Sequence, residues 1–163
     1  MSLRAAVVVA SNRAAAGVYA DTTGPLIVEF LRELGFAVEG PVVVPDGDPV
    51  GAAIRAAADQ GARVVLTTGG TGLTPTDRTP EATRALLDFE VPGIAEAIRA
   101  YGVGQGVPSA VLSRGVAGVV GSCLVVNLPG SRGGVEDGLA VLRPVLVHAA
   151  EQVLGSDHPR TDH

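Results

Sequence analysis

The chain reads as α/β: a three-layer, mostly parallel sheet with helices on both faces. Two observations predict this. Short, nearly continuous apolar runs alternate with stretches of helical spacing along the 163 residues, as in successive strand–helix–strand units. The runs lack polar alternation, as strands do when both sheet faces are covered. A third observation concerns placement. Polar clusters follow the apolar runs, and in open α/β sheets ligands bind outside the carboxyl ends of the strands.

The elements follow in order. Ala5 to Ala10 is a short β-branched run and reads as the first strand. Asp21-Thr22-Thr23-Gly24-Pro25 reads as a helix start, with a capping residue and an early proline. Leu26, Ile27, Phe30, Leu31 and Leu34 recur at helical spacing, and Gly35 ends that helix. Phe36 to Val44 is a second strand, which Pro41 makes an edge or bulged one. Pro45-Asp46-Gly47-Asp48-Pro49 is a dense turn signal. Pro49 to Gln60 reads as a helix stopped by Gly61, and Arg63 to Thr67 as a third strand. Helices are expected from Pro80 to Leu87 and from Pro92 to Tyr101. Ala110 to Leu112 and Gly118 to Val120 read as short strands, and Ser122 to Leu128 as the last strong one. Gly134 to Leu154 reads as one long final helix, with Pro144 as the place for an interruption.

This length suggests one domain, read as residues 1–154, with 155–163 a disordered polar tail. The single cysteine, Cys123, cannot form an internal bridge, which fits a reducing cytoplasm. It sits in an apolar run and reads as a small buried hydrophobe. The formal net charge is −5 and no dense Lys/Arg run appears, which argues against nucleic acid. No run approaches the roughly 18 apolar residues of a membrane span. His158 and His163 in the tail are too few for a metal site.

The chemistry concentrates after the strands. Ser11-Asn12-Arg13 follows the first, Asp46 the second, and Thr68-Gly69-Gly70-Thr71-Gly72 the third. Glycines let backbone approach a ligand closely, and loop N–H groups with threonine hydroxyls bind phosphate oxygens. The loop is not a Walker A sequence, which needs lysine. Nor is it a Rossmann loop, because position 75 is proline. Locally it fits a tight strand-to-helix turn as well as a phosphate cradle. Asp77 suits a Mg²⁺ ligand and equally a helix cap or a partner for Arg78. Asp46 fits an Asx-turn, with Asp48 as its substitute, but two carboxylates from separate loops also suit Mg²⁺ beside a triphosphate. Ser113-Arg114 offers a hydroxyl and a cationic fork for phosphate, and Asn127-Leu128-Pro129-Gly130-Ser131 closes the last strand with a directional amide.

Together these motifs resemble the molybdenum-cofactor biosynthesis family, which includes the bacterial molybdopterin adenylyltransferases (Mog and MoaB-like proteins) and the gephyrin G domain. The resemblance runs through Ser11-Asn12-Arg13 with Gly17 and Asp21, Val44-Pro45-Asp46, and Thr67 to Gly72 with Asp77 and Thr79-Pro80-Glu81-Ala82-Thr83. It continues through Leu112-Ser113-Arg114 and Asn127 to Gly130, so it covers residues 5 to about 150. It implies a trimeric α/β domain that binds molybdopterin and Mg-ATP, transfers AMP to the pterin's terminal phosphate and releases pyrophosphate. It makes Asp46 and Asp77 the catalytic, Mg²⁺-associated carboxylates. It makes Ser11, Thr68, Gly69, Gly70, Thr71, Gly72, Ser113, Arg114, Asn127, Pro129, Gly130 and Ser131 the substrate-lining set. The sequence departs from the pattern at Asn12, where Asp is common, and at Ser131-Arg132, where Asn-Pro is typical of clear adenylyltransferases. The second departure motivates an alternative, a catalytically silent molybdopterin carrier. A third reading is a related domain of nicotinamide-nucleotide and ADP-ribose metabolism with a similar Gly-Gly-x-Gly loop.

Overall fold

A computed structural model describes residues 2–18 and 20–155. The tail from 156 to 163, with His158 and His163, lies outside the described residues. The six-stranded sheet has the order β2-β1-β3-β6-β5-β4. Its parallel part consists of β2 (Ala37–Val44), β1 (Arg4–Ala10), β3 (Val64–Thr68) and β6 (Cys123–Leu128). β5 (Ala117–Val120) runs antiparallel to β6, and β4 (Phe89–Glu90) antiparallel to β5.

Period-two alternation sends each strand's side chains into two separate cores. Ala5, Val7, Leu66, Val126 and Leu128 face one side. There they pack with Ile27 and Leu31 of α2 (Thr23–Glu33), Ile98 of α5 (Pro92–Gly104), Leu139 of α6 (Arg132–Leu142) and Leu146 of α7 (Leu146–Val153). Ala6, Val8, Val65 and Val125 face the other, against Val50 and Ile54 of α3 (Asp48–Asp59). Each side chain of this size that becomes fully buried contributes about 1.5–3 kcal/mol. The central strands are therefore apolar until their carboxyl ends, where the buried Thr67, Thr68 and Asn127 bring in the first polar side chains.

The register positions the functional edge. Ala10 pairs with Val44, Val9 with Thr68, and Thr68 with Leu128. Four parallel strands thus end in one row, and whatever follows each is delivered to the same rim. The Ser11 N–H donates to the Val44 carbonyl at 2.9 Å, and the Gly69 N–H to the Leu128 carbonyl at 3.3 Å, tying the exits together.

β2 is the edge strand that Pro41 predicted, and its register against β1 shifts between Ala6 and Val8. Asp21 caps α2 as expected, its Oδ1 accepting the N–H groups of Thr23 and Gly24. Two expectations need correction, and a third holds. Ala110 to Leu112 is not a strand but the end of a 3-10 turn, Pro108–Leu112. Pro108 starts that turn, and Val111 and Leu112 stay exposed rather than entering a sheet. The final helical stretch is interrupted where the sequence marked it: α6 and α7 part around Pro144, which cannot donate the bond that continuation needs. The helix after the glycine loop, α4 (Thr79–Arg84), stops short of Leu87. Two elements were not anticipated: α1 (Asn12–Ala15), a single turn capped by Ser11, and β4, whose two residues are a strand only through pairing with β5.

Candidate functional site

The glycine loop bends sharply where β3 ends. Gly69 and Gly70 have φ of +89° and +69°, a region that side chains rarely adopt. Space forbids a side chain as well. A Cβ on Gly69 would collide with the Ala10 carbonyl. One on Gly70 would collide with Thr79 Oγ1 and lie 2.9 Å from Asp46 Oδ1. The loop is pinned at both ends: Thr68 Oγ1 donates to the Pro129 carbonyl at 2.6 Å, and the Thr79 N–H donates to the Gly70 carbonyl at 3.1 Å.

A cavity of about 360 Å³ opens at this rim, lined by Ser11, Asp46, Thr68, Gly69, Gly70, Asp77 and Gly130 among others. Asp46 and Asp77 thus meet there from separate loops. The Asp46 N–H donates to Asn12 Oδ1 at 2.9 Å, which fixes the backbone that carries the carboxylate. Asp46 Oδ1 is buried and, among the described residues, has no hydrogen-bond partner. Burial, and secondarily the charge of Asp77, push the Asp46 carboxyl above its ordinary value, against the opposing effect of the Asn12 bond. Asp77 is better supported: its Oδ2 accepts the Thr74 N–H at 3.0 Å. Asp48, by contrast, is exposed in the first turn of α3 and does not line the cavity.

This donor set fits a hard divalent cation. Two like-charged carboxylates share one cavity, and one oxygen is desolvated without a partner. A pair of protein carboxylates is what a Mg²⁺ ion typically takes, with water and substrate phosphates completing its octahedron. Arg13, in α1, is the cation among the residues lining this cavity.

The remaining motif residues are used differently. Arg114 does not line the acidic cavity; it straps the glycine loop from outside. Its Nε donates to the Gly72 carbonyl at 2.9 Å and its Nη2 to the Asp77 carbonyl at 2.8 Å, while Nη1 reaches both oxygens of Glu81. Its backbone N–H holds the Thr71 carbonyl at 2.8 Å. Asn127 is buried in the sheet. Its Nδ2 donates to Thr67 Oγ1 and Thr83 Oγ1 at 3.0 and 3.1 Å, and its Oδ1 accepts the Val116 N–H at 3.1 Å. Thr71 is buried too, and Ser113 Oγ lies 3.2 Å from its hydroxyl. Gly72 abuts Asp77, since a Cβ there would lie 2.8 Å from Asp77 Oδ2. Ser113, Pro129 and Ser131 line a neighbouring cavity, and Ser131 caps α6 by accepting the Gly134 N–H.

Sequence reasoning passed over Thr79 as a site residue. It is fully buried, its Oγ1 has no partner among the described residues, and it sits against Gly70 beside Asp46 Oδ1. Its place in the Thr79-Pro80-Glu81 motif was the available signal. Asn12 and Glu81 were likewise undervalued, because their roles are contacts to Asp46 and Arg114 at long sequence separation.

Residues 6–148 match the protein family described as "Probable molybdopterin binding domain". The chain belongs to this family. Among solved members of the molybdopterin-binding family, the molybdopterin biosynthesis Mog protein from Mycobacterium ulcerans is 52% identical. It superposes with a TM-score of 0.89, over 93% of this chain and 99% of that one. The molybdenum cofactor biosynthesis bifunctional protein of Synechococcus elongatus is 41% identical over 94% of this chain and 48% of its own length. The molybdopterin adenylyltransferase of Helicobacter pylori strain J99 is 35% identical over 92% of this chain and 87% of its own length. The chain thus spans about half the length of the bifunctional relatives it matches.

Proposed function

We propose that the protein is a molybdopterin adenylyltransferase of molybdenum cofactor biosynthesis. The observation that carries this is the meeting of Asp46 and Asp77 beside the glycine loop, with Asp46 Oδ1 buried and unpartnered. The relatives named molybdopterin adenylyltransferase, 35% identical in Helicobacter pylori strain J99 and 36% in Pyrococcus furiosus, support the same reading.

In this reading an oxygen of the pterin's terminal phosphate attacks the α-phosphorus of ATP. A new P–O–P link forms, the bond between the α-phosphorus and the bridging oxygen to the β-phosphorus breaks, and pyrophosphate leaves with that electron pair. The nucleophile is already anionic, so no strong general base is required. What the site must do is hold two anions together and stabilise the charge that develops. Asp46 and Asp77 would hold Mg²⁺, which supplies charge neutralisation for the phosphates. Loop N–H groups around Gly69 and Gly70 and the Arg13 guanidinium would orient the phosphates. Ser11, Thr68 and Gly130 complete the wall on that side. Residues 1–154 act as one catalytic unit, in the cytoplasm and as a homotrimer. Exposed Phe89, Tyr101, Val111 and Leu112 supply apolar surface for self-association.

The test is to mix the protein with molybdopterin, ATP and Mg²⁺ and to measure pyrophosphate and adenylylated pterin. Ser131-Arg132 after Pro129-Gly130 favours a second reading, a carrier that binds the pterin without turnover. Pterin binding with no pyrophosphate would establish the carrier and remove the enzyme. Sedimentation tests assembly: monomer alone at micromolar concentration contradicts the trimer.

A further inference from the structure

Three motif residues that the acidic cavity does not use come together elsewhere. Ser113, Pro129 and Ser131 line a second cavity of about 200 Å³, between α5, the 3-10 turn and the start of α6. Ile98, Val107 and Ala110 give it carbon-rich walls. The two cavities share one strand-end segment: Gly130 lines the first, and its neighbours Pro129 and Ser131 line the second. A ligand seated in one is therefore a single residue's breadth from the other.

The second cavity is lined by one carboxylate, and no described residue partners it. Asp137 lies in the second turn of α6, half-buried, and faces α5. Its Oδ2 is 3.9 Å from where a Cβ on Gly102 would stand. It makes no hydrogen bond or ion pair among the described residues. Arg99, the cation of this cavity, gives Nη1 to the carbonyls of Ser113 and Gly115 at 3.3 and 3.0 Å instead. A carboxylate is acceptor-only, so what it lacks is a pair of donors.

We propose that Asp137 is the specificity-determining residue for the pterin, its carboxylate accepting the N3–H and 2-amino N–H of the 2-amino-4-oxo ring edge in this second cavity. The inference rests on the adenylyltransferase reading and names where that reaction's acceptor binds. The two N–H groups are parallel and spaced like the two oxygens of a carboxylate, the arrangement that makes fork-to-fork pairs strong. The amino edge of adenine offers a donor beside an acceptor, which leaves one carboxylate oxygen facing a lone pair. Apolar walls accept either flat ring, so the carboxylate makes the choice. It directs the pterin here and leaves the acidic cavity to the triphosphate.

The experiment uses the full chain and two stable, fluorescent probes. One is 6-hydroxymethylpterin. The other is 6-hydroxymethyllumazine, in which an oxo group replaces the 2-amino group. Binding of both, and of Mg·ATP, is measured for the wild type, Asp137→Asn and Asp137→Glu. The wild type is expected to prefer the pterin by about tenfold or more, because a site built to accept two N–H groups rejects the analogue lacking one. Asp137→Asn loses that preference together with about tenfold or more of pterin affinity, while Mg·ATP affinity is unchanged. Asp137→Glu retains the preference. Equal wild-type affinity for the two probes overturns the inference without recourse to any variant. So does an Asp137→Asn protein that binds pterin as the wild type does. In either case the adenylyltransferase reading stands if pyrophosphate is still released from the intact substrates. A wild type that binds neither probe overturns the inference too, and the adenylyltransferase reading falls with it only where no pyrophosphate is released.

Discussion

The two sides of the strand-end rim treat their polar groups in opposite ways. Around the exits of β2, β1 and β3, Asp46 Oδ1, Thr79 Oγ1 and Asp21 Oδ2 are buried without hydrogen-bond partners among the described residues, and Asp46 is further burdened by the charge of Asp77. Around β6 and β5, Asn127 and Arg114 direct their donors at the protein itself. Unmatched buried oxygens are costly and are kept where a ligand completes them. Matched ones hold the shape in which that ligand is met. The comparison separates motif residues that act on a substrate from those that position the residues that do.

The largest effect should come from the unmatched side. Asp46→Asn is expected to lower turnover about 10²–10³-fold, the scale for losing one electrostatic element of a preorganised site. Its folding stability should hold or rise, because the change removes a desolvated charge facing another carboxylate. The sign follows from the raised folded pKa. Asp46's contribution to stability is fully present below its ordinary value of 3.8 and is lost as pH rises through the raised one. The variant should therefore gain on the wild type at neutral pH, and the gap should close in acid. Urea melts at both pH values measure this. A variant losing stability in step with activity would move Asp46 to the matched side.

The matched side should show the reverse pattern. Asn127→Ala strands the Val116 N–H and the hydroxyls of Thr67 and Thr83 in the interior. The expected cost is about 2–4 kcal/mol of stability, since buried groups left unpaired forfeit their full desolvation energy. Turnover per folded molecule should change much less. If Asn127 instead met a substrate, its loss would raise KM and leave the urea midpoint in place.

This contrast marks how far the sequence could be read. β1, β3, β6 and the edge character of β2 were legible, because apolar continuity and Pro41 are local signals. The convergence of Ser11, Asp46, the glycine loop and Gly130 was legible too, since it follows from parallel strands ending in register. The choice between matched and unmatched was not. Arg114 reads as a phosphate fork because its partners Gly72, Asp77 and Glu81 lie 33 to 42 residues away, and sequence spacing does not reveal such contacts. Val111 and Leu112 read as strand by residue type, yet lie exposed in a 3-10 turn beside α5. β4 has no local signal, because its neighbour β5 defines it.

Arg114 gives the next test in size. Arg114→Ala should cost about 1–3 kcal/mol, a discounted value because the guanidinium is partly exposed. Turnover should fall as well, through a loosened Gly72–Asp77 segment. Arg114→Lys should not rescue it, because an ammonium cannot reproduce a planar fork that holds two carbonyls and a carboxylate. The Glu81 carboxyl is held below its ordinary 4.5, chiefly by its bond to Arg114. The pair therefore contributes stability above that value and loses it as pH falls through the lowered one. Wild type should lose this increment in acid and Arg114→Ala should not. A variant with unaltered melting and a raised KM for ATP would make Arg114 a substrate ligand after all.

The smallest expected effect decides between two neighbouring acids. Asp46 and Asp48 flank Gly47 and are equivalent candidates by sequence, but only Asp46 lines the acidic cavity; Asp48 is exposed in the first turn of α3. There its negative charge faces the positive end of the helix, which is worth about 0.3–1 kcal/mol at low salt. Asp48→Asn should cost no more than that, should lose even this difference at high salt, and should leave turnover and Mg²⁺ dependence as they are. Two isosteric changes two residues apart would then differ by orders of magnitude in rate, with the order of their stability effects reversed. If Asp48→Asn were the one to abolish turnover, the turn after β2 would present its other carboxylate to the substrate. The unpartnered Asp46 Oδ1 would then be a packing defect, and the site would have to be rebuilt around Asp48 and Asp77.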